Sequence, residues 1–181
     1  YFSLFDLGIG LAVTQHLARF HRAGEAHKRR ATFWVALVMV SLIGCFLGLI
    51  LSLLAGSATA WLLDPPPHLI DETRRVLFFV AAAMPFVVST TCLRGTLVAS
   101  YRFGVIGALR MLQGITTYGA PFVVLWWSTR VDVMALVLIA GRVMAWMGYA
   151  VAVFVLIPDF RSRPMFDRAI ARSVFRFGGW V

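Results

Sequence analysis

Charge is scarce in this sequence, and acidic charge is scarcest. Only 14% of the 181 residues are charged, with 8 Asp and Glu against 17 Lys and Arg. Apolar residues make up 60% and the mean hydropathy is +0.83, whereas soluble domains carry roughly 45–50% apolar residues. A soluble globular domain is excluded. The net charge of +9 would point to nucleic acid on a water-soluble fold, but the basic residues form no continuous stripe. They stand instead in short loops between long apolar runs, the pattern of membrane topology. Cysteine is nearly absent too: Cys45 and Cys92 lie within apolar runs and read as small buried hydrophobes rather than a redox pair. The sequence also lacks a signal peptide, a P-loop, an HExxH, a paired-aspartate diphosphate motif and a nucleophile elbow. The expectation is a protein that is not an enzyme, with no catalytic residue, metal site or cofactor.

What is present is a series of runs long enough to cross a bilayer, which takes about 20 mainly apolar residues. Four stretches qualify: 31–63, 76–99, 109–128 and 133–157. The first exceeds what a bilayer needs, so its end projects or tilts. Residues 1–20 read as the latter part of a further helix, and 174–181 as the start of another. The chain opens at Tyr1 inside an apolar segment and closes on Gly178-Gly179-Trp180-Val181, so it reads as a fragment at both ends. Strict period-two alternation is absent, which excludes a barrel and leaves an all-α bundle of transmembrane helices.

The loops test this division, because sidedness must alternate. Loop 19–30 carries Arg19, Arg22, Lys28, Arg29 and Arg30, and 158–177 carries Arg161, Arg163, Arg168, Arg172 and Arg176. Arg102 and Arg110 stand around 100–110. The loops in between hold Arg74 and Arg75 (64–75) and Arg130 (129–132). The first, third and fifth loops thus have twelve basic residues against three in the second and fourth, which places the former set in the cytoplasm. Trp61, Trp126 and Trp127 then fall at the non-cytoplasmic ends of their helices and suit an interfacial belt. His16, His21 and His27 cluster on the cytoplasmic side without metal spacing and read as surface residues.

Three ionisable groups fall within spanning segments, where a charge costs roughly 2.5–3.5 kcal/mol at helix centre on insertion scales. Arg142 lies about 13 Å deep at ~1.5 Å per residue. Either a carbonyl or carboxylate of a neighbouring helix satisfies it, or it lines a polar cavity that binds an anion, for which its planar fork suits phosphate oxygens. Asp6, among Gly8 and Gly10, lies about 20 Å above Arg19. It reads as an ion or proton site beside a helix break, as a cap on a restarting helix, or as a partner for a buried arginine. Arg94, six residues before Ser100, can snorkel to the cytoplasmic interface or assist in holding an anion. Gly44-x-x-x-Gly48 and Gly141-x-x-x-Ala145 are packing signals. Pro85 and Pro121 should kink their helices, with freed carbonyls near Ser89, Thr90 and Thr91 facing a cavity.

Leu4-Phe5-Asp6-Leu7-Gly8-Ile9-Gly10, followed by Gln15-His16-Leu17-Ala18-Arg19-Phe20, resembles the second transmembrane helix of Wzx-type polysaccharide flippases. These belong to the multidrug and oligosaccharidyl-lipid exporter superfamily. The stretch from Leu93-Arg94-Gly95 to Tyr101-Arg102-Phe103 is similar to that family's Leu-Arg-Gly…Leu-Glu-Ala…Arg-Phe at the cytoplasmic end of helix four. Phe177-Gly178-Gly179-Trp180 resembles the entry into helix seven. Val98 departs, standing where the family has an acidic residue, so a salt bridge there has no acid to form it.

The resemblance implies part of the N-terminal lobe of a MATE-like transporter, with two lobes rocking about a central cationic cavity. It implies movement of undecaprenyl-diphosphate-linked oligosaccharide across the bacterial inner membrane for polysaccharide or O-antigen export. Arg142 and Arg94 would bind the substrate, and Asp6 would couple transfer to H+ or Na+. The implied partners are that lipid-linked oligosaccharide, the lipid bilayer and the polysaccharide polymerase and ligase, and no nucleic acid. The alternatives are a drug or lipid-precursor exporter of the same superfamily, or a polytopic membrane glycosyltransferase or ligase. On the coupling reading, Asp6→Asn should weaken the dependence of transport on an imposed ion gradient; an unchanged dependence eliminates Asp6 from that role.

Overall fold

A computed structural model describes residues 14, 15, 17, 26–58, 70–126 and 131–161. They form four α-helices: α1 (Ala26–Ala58), α2 (Ile70–Ala99), α3 (Phe103–Leu125) and α4 (Val131–Leu156), followed by a 3-10 turn at Pro158–Arg161. No strand occurs among the described residues. Three segments, His27–Gly56, Ile70–Ala99 and Asp132–Leu156, are long and apolar enough to cross a membrane, which makes this a multi-pass membrane chain. α3 is not among them. Its 23 residues suffice in length, and Arg110 and Gln113 interrupt its apolar run.

Each helix begins before its apolar run: at Ala26 rather than 31, Ile70 rather than 76, Phe103 rather than 109 and Val131 rather than 133. Hydropathy marks where hydrocarbon begins, whereas the backbone hydrogen-bond ladder continues into the wet interface. In α2 the early start places Asp71 and Glu72 in the first turn, where negative charge complements the helix dipole. Of the expected first segment, only Thr14, Gln15 and Leu17 are described, and they are helical. The Thr14 hydroxyl donates to the Gly95 carbonyl at 3.4 Å and Leu17 is buried. The segment 174–181 lies outside the described residues.

The packing order is α1–α2–α4–α3, with α2 and α3 touching most sparingly. α1 runs antiparallel to α2 and seals on it through the Gly44-x-x-x-Gly48 pair. A Cβ on Gly44 would stand 2.6 Å from the Pro85 Cα, and one on Gly48 would stand 2.4 Å from the Ala81 carbonyl oxygen. Only glycine permits this approach. Pro85 has no N–H, so the Ala81 carbonyl four residues earlier loses its helical partner. Gly48 brings its α-carbon against that same oxygen, placed for a weak C–H···O contact. The orphaned acceptor therefore lies upstream of the proline, not near Ser89 as expected. Ser89, Thr90 and Thr91 turn their hydroxyls back onto the carbonyls of Pro85 (2.6 Å), Phe86 (2.7 Å) and Val88 (2.8 Å) of their own helix.

α3 and α4 form a second antiparallel pair. Gly141 meets Thr116 and Gly148 meets Leu109, at 3.4 Å and 2.9 Å from where a Cβ would stand, with buried Ala145 between them. The two pairs join along α2 and α4, which run in the same direction. Their largest buried side chains (Phe33, Leu93, Leu97, Tyr149, Val153 and Phe160) gather at one end, the one that loop charge assigns to the cytoplasm. Away from it Phe46, Leu53, Tyr118 and Phe122 are exposed, as suits contact with lipid.

Ion pairs hold both ends of α4. Asp159, just beyond its C-terminus, pairs with Arg29 of α1, whose guanidinium also lies 5.8 Å from the Phe160 ring centroid. Asp132 at its N-terminus lies 3.5 Å from Arg75 of α2. The α2–α3 turn is a Schellman closure: Arg102 N–H donates to the Leu97 carbonyl and Tyr101 N–H to that of Val98, both at 3.0 Å. Tyr101 has φ 58°, a left-handed conformation that costs an L-residue roughly 1–2 kcal/mol.

The Gly48 contact yields a comparison within one helix. Gly48→Ala should destabilise the bundle by about 1–3 kcal/mol, because the methyl group meets backbone that cannot rotate away. Gly56→Ala, where a Cβ would meet nothing within 4 Å, should be neutral or stabilise by up to ~1 kcal/mol through helix propensity. Thermal unfolding of both variants in detergent checks the contrast.

Candidate functional site

The α2/α4 seam does not close along its whole length. About halfway down it leaves a cavity of about 150 Å³ lined by Val80, Ala83, Met84 and Val87 of α2 and Leu138, Ile139 and Arg142 of α4. The α2 residues recur at helical spacing on one face, and so do the three of α4. Small Ala83 and Pro85, which Gly44 of α1 approaches closely, both lie on this stretch of α2. The walls are apolar, and one guanidinium supplies the charge.

Arg142 stands some 16 Å along α4 from its start and about 21 Å from its end at ~1.5 Å per residue. Its side chain is exposed at the cavity. No carboxylate among the described residues pairs with it: the described Asp132 and Asp159 are engaged by Arg75 and Arg29. A guanidinium does not shed its proton in proteins, so the charge persists at mid-depth. Arg142 thus lines a cavity, whose walls are apolar where a polar one was expected. The cavity has room for a few waters or a phosphate-sized anion, a water occupying about 30 Å³ in the liquid.

Arg94 does not reach this cavity. It is half-buried, two turns beyond Val87 toward the basic end of the bundle. Tyr149 of α4, a fully buried residue, belongs to the same end of the bundle. The two arginines expected to share a substrate thus occupy different levels of one seam. Between those levels, Trp146 meets Phe86 edge-on with ring centroids 5.3 Å apart. Its indole Nε1 is buried with no hydrogen-bond partner among the described residues. Trp146 was not singled out from sequence, although a tryptophan in mid-span, away from the interfaces, is a usable signal.

The Arg75–Asp132 pair bounds the seam at its other end, about two turns from the cavity. Asp132 is largely buried and also accepts the Val133 N–H at 2.9 Å. Asp132 belongs to the short loop 129–132 that hydropathy marks around Arg130, and nothing in the sequence there names a partner on α2. Trp126 is exposed at the end of α3, as an interfacial residue would be, and His27 is exposed at the start of α1. Asp6, His16, His21, Trp61, Trp127 and Phe177–Trp180 lie outside the described residues. Among the described residues no three His, Cys, Asp or Glu side chains gather where they could hold a metal ion.

No family model, curated protein or solved structure matches this chain. The likeness to flippases therefore rests on the quoted motifs. The structure places the second of them, Leu93–Phe103, across the end of α2, the Schellman turn and the start of α3.

An arginine that serves packing and one that serves a ligand respond differently to substitution. Arg142→Met keeps the aliphatic length and removes a charge costing roughly 2.5–3.5 kcal/mol on insertion scales. The variant should insert as well as the parent and unfold at the same or a higher temperature in lipid discs. A lower midpoint would mean that the guanidinium serves the fold.

Proposed function

We propose that this chain forms part of a membrane transporter whose α2/α4 seam receives an anionic lipid-linked substrate, with an undecaprenyl-diphosphate-linked oligosaccharide as the cargo. One observation carries this reading: Arg142, a permanent cation without a described carboxylate partner, faces an apolar-walled cavity at mid-depth between two spanning helices. A diphosphate offers the oxygens that a guanidinium fork binds in bidentate fashion. The apolar walls suit the lipid that carries it. Arg94 and Arg110 extend positive charge along the same region toward the cytoplasmic end, the side from which such a substrate is loaded. Helices that meet along an incompletely closed seam can separate there to admit a ligand, as alternating access requires.

The apolar lining by Val80, Met84, Val87, Leu138 and Ile139 also favours a second reading, an exporter of amphipathic drugs or lipid precursors. Complementation separates the two. A full-length gene containing this segment should restore surface glycan in a bacterium that lacks its own O-antigen flippase. Arg142→Ala should lower that glycan roughly 10-fold or more, the equivalent of one charged hydrogen-bonding group, at unchanged expression and insertion. Arg142→Lys should retain part of it. Normal export by Arg142→Ala removes the anion site. Drug resistance without restored glycan selects the second reading.

A further inference from the structure

Beside the cavity in the α2/α4 seam stands a polar group that the packing leaves unanswered. Trp146 follows Arg142 by four residues on α4, so the two share one helix face about 6 Å apart along the axis, at ~1.5 Å per residue. Both face α2. Arg142 lines the cavity together with Val87, and the Trp146 ring meets Phe86, the residue before Val87, with centroids 5.3 Å apart. An indole N–H and a guanidinium are donors only. The Trp146 Nε1 is buried with no hydrogen-bond partner among the described residues. A buried donor in that state has lost its hydration and gained nothing in exchange.

The helices around this pair offer it no acid. Between Glu72 and Asp159 the sequence has a single acidic residue, Asp132, which lies near the start of α4 beside Arg75. The hydroxyls of Ser89 and Thr90, one turn beyond Phe86 on α2, are turned onto carbonyls of their own helix. What the two donors lack is an acceptor. A cationic or purely apolar ligand leaves both unsatisfied, whereas an oxyanion satisfies both, and two linked phosphates carry oxygens to two donors one turn apart.

We infer that Trp146 is a second anion-binding residue of this seam, its indole N–H donating to a phosphate oxygen of a diphosphate that the Arg142 guanidinium also holds. The nitrogen is covered while the seam is closed, so it meets a ligand only when α2 and α4 part, and binding favours the parted state. This rests on the anionic-substrate reading of the cavity, and adds to it the residue that favours phosphate over amphipathic cations.

The test uses the full-length protein containing this chain in lipid discs. Farnesyl diphosphate is the probe, and farnesol, the same chain without phosphate, is the control. Apparent affinity is read from the rise of the thermal unfolding midpoint with probe concentration, relative to each variant's own midpoint without probe. Trp146→Phe keeps an aromatic ring against Phe86 and removes the donor. Its affinity for farnesyl diphosphate should fall about 10-fold, the equivalent of one hydrogen bond to a charged group, while any effect of farnesol stays as in the parent. Arg142→Met should lose the diphosphate response. A response that Arg142→Met loses and Trp146→Phe keeps in full overturns this inference and leaves the anion site standing. An equal fall in affinity for farnesol and its diphosphate in Trp146→Phe also overturns it, since the ring and not its N–H would then matter. No response of the parent to farnesyl diphosphate removes the anion site and this inference together.

Discussion

A helix in hydrocarbon has no water to accept or donate a spare hydrogen bond, so a proline within it must be answered by another part of the protein. Here Pro85 strips the Ala81 carbonyl of its partner, and α1 answers by bringing Gly48 against that oxygen and Gly44 against the proline itself. The rest of the bundle depends on this contact. It fixes α1 to α2 and sets the course of α2 at the level where its other face lines the cavity. Ser89, Thr90 and Thr91 complete the adjustment by bonding to carbonyls of their own helix. The stretch carries polar groups without presenting them to lipid.

Charge is distributed by a related rule. The ion pairs Arg29–Asp159 and Arg75–Asp132 lie at opposite ends of α4, where water and headgroups share the cost of desolvation. Arg142 lies between them, at the depth where a charge is least easily tolerated and most informative. The aromatic packing of Phe33 on Phe160 at 4.4 Å and burial of Tyr149 make that end of α4 the solid part of the bundle. The cavity opens only beyond it.

Apolar runs disclosed α1, α2 and α4 because hydrocarbon thickness sets a length that sequence must meet. They did not disclose the helix starts, since backbone hydrogen bonding is indifferent to where lipid gives way to water. The run 109–128 overlaps α3, which carries Gln113, Thr116 and Thr117 within it. The Gly44–Gly48 spacing was legible as a close contact, but its partner was not. Arg142 was conspicuous as an isolated charge in an apolar helix. The separation of Arg94 from it, the Arg75–Asp132 pair and the burial of the Trp146 indole nitrogen all follow from α2 packing beside α4. That adjacency lies between helices not consecutive in the chain, and neither hydropathy nor motif spacing encodes it.

The pairing of the helices also has a bearing on biogenesis. α1 with α2 and α3 with α4 are each antiparallel neighbours in sequence with a glycine-lined seal of their own. The first hairpin can therefore complete its packing in the bilayer while the second is still being synthesised. α3, with Arg110 and Gln113 in its apolar run, can enter together with α4. The α2/α4 seam forms last, between two finished units. A joint made last in this way is one that the mature protein can loosen without unmaking either half.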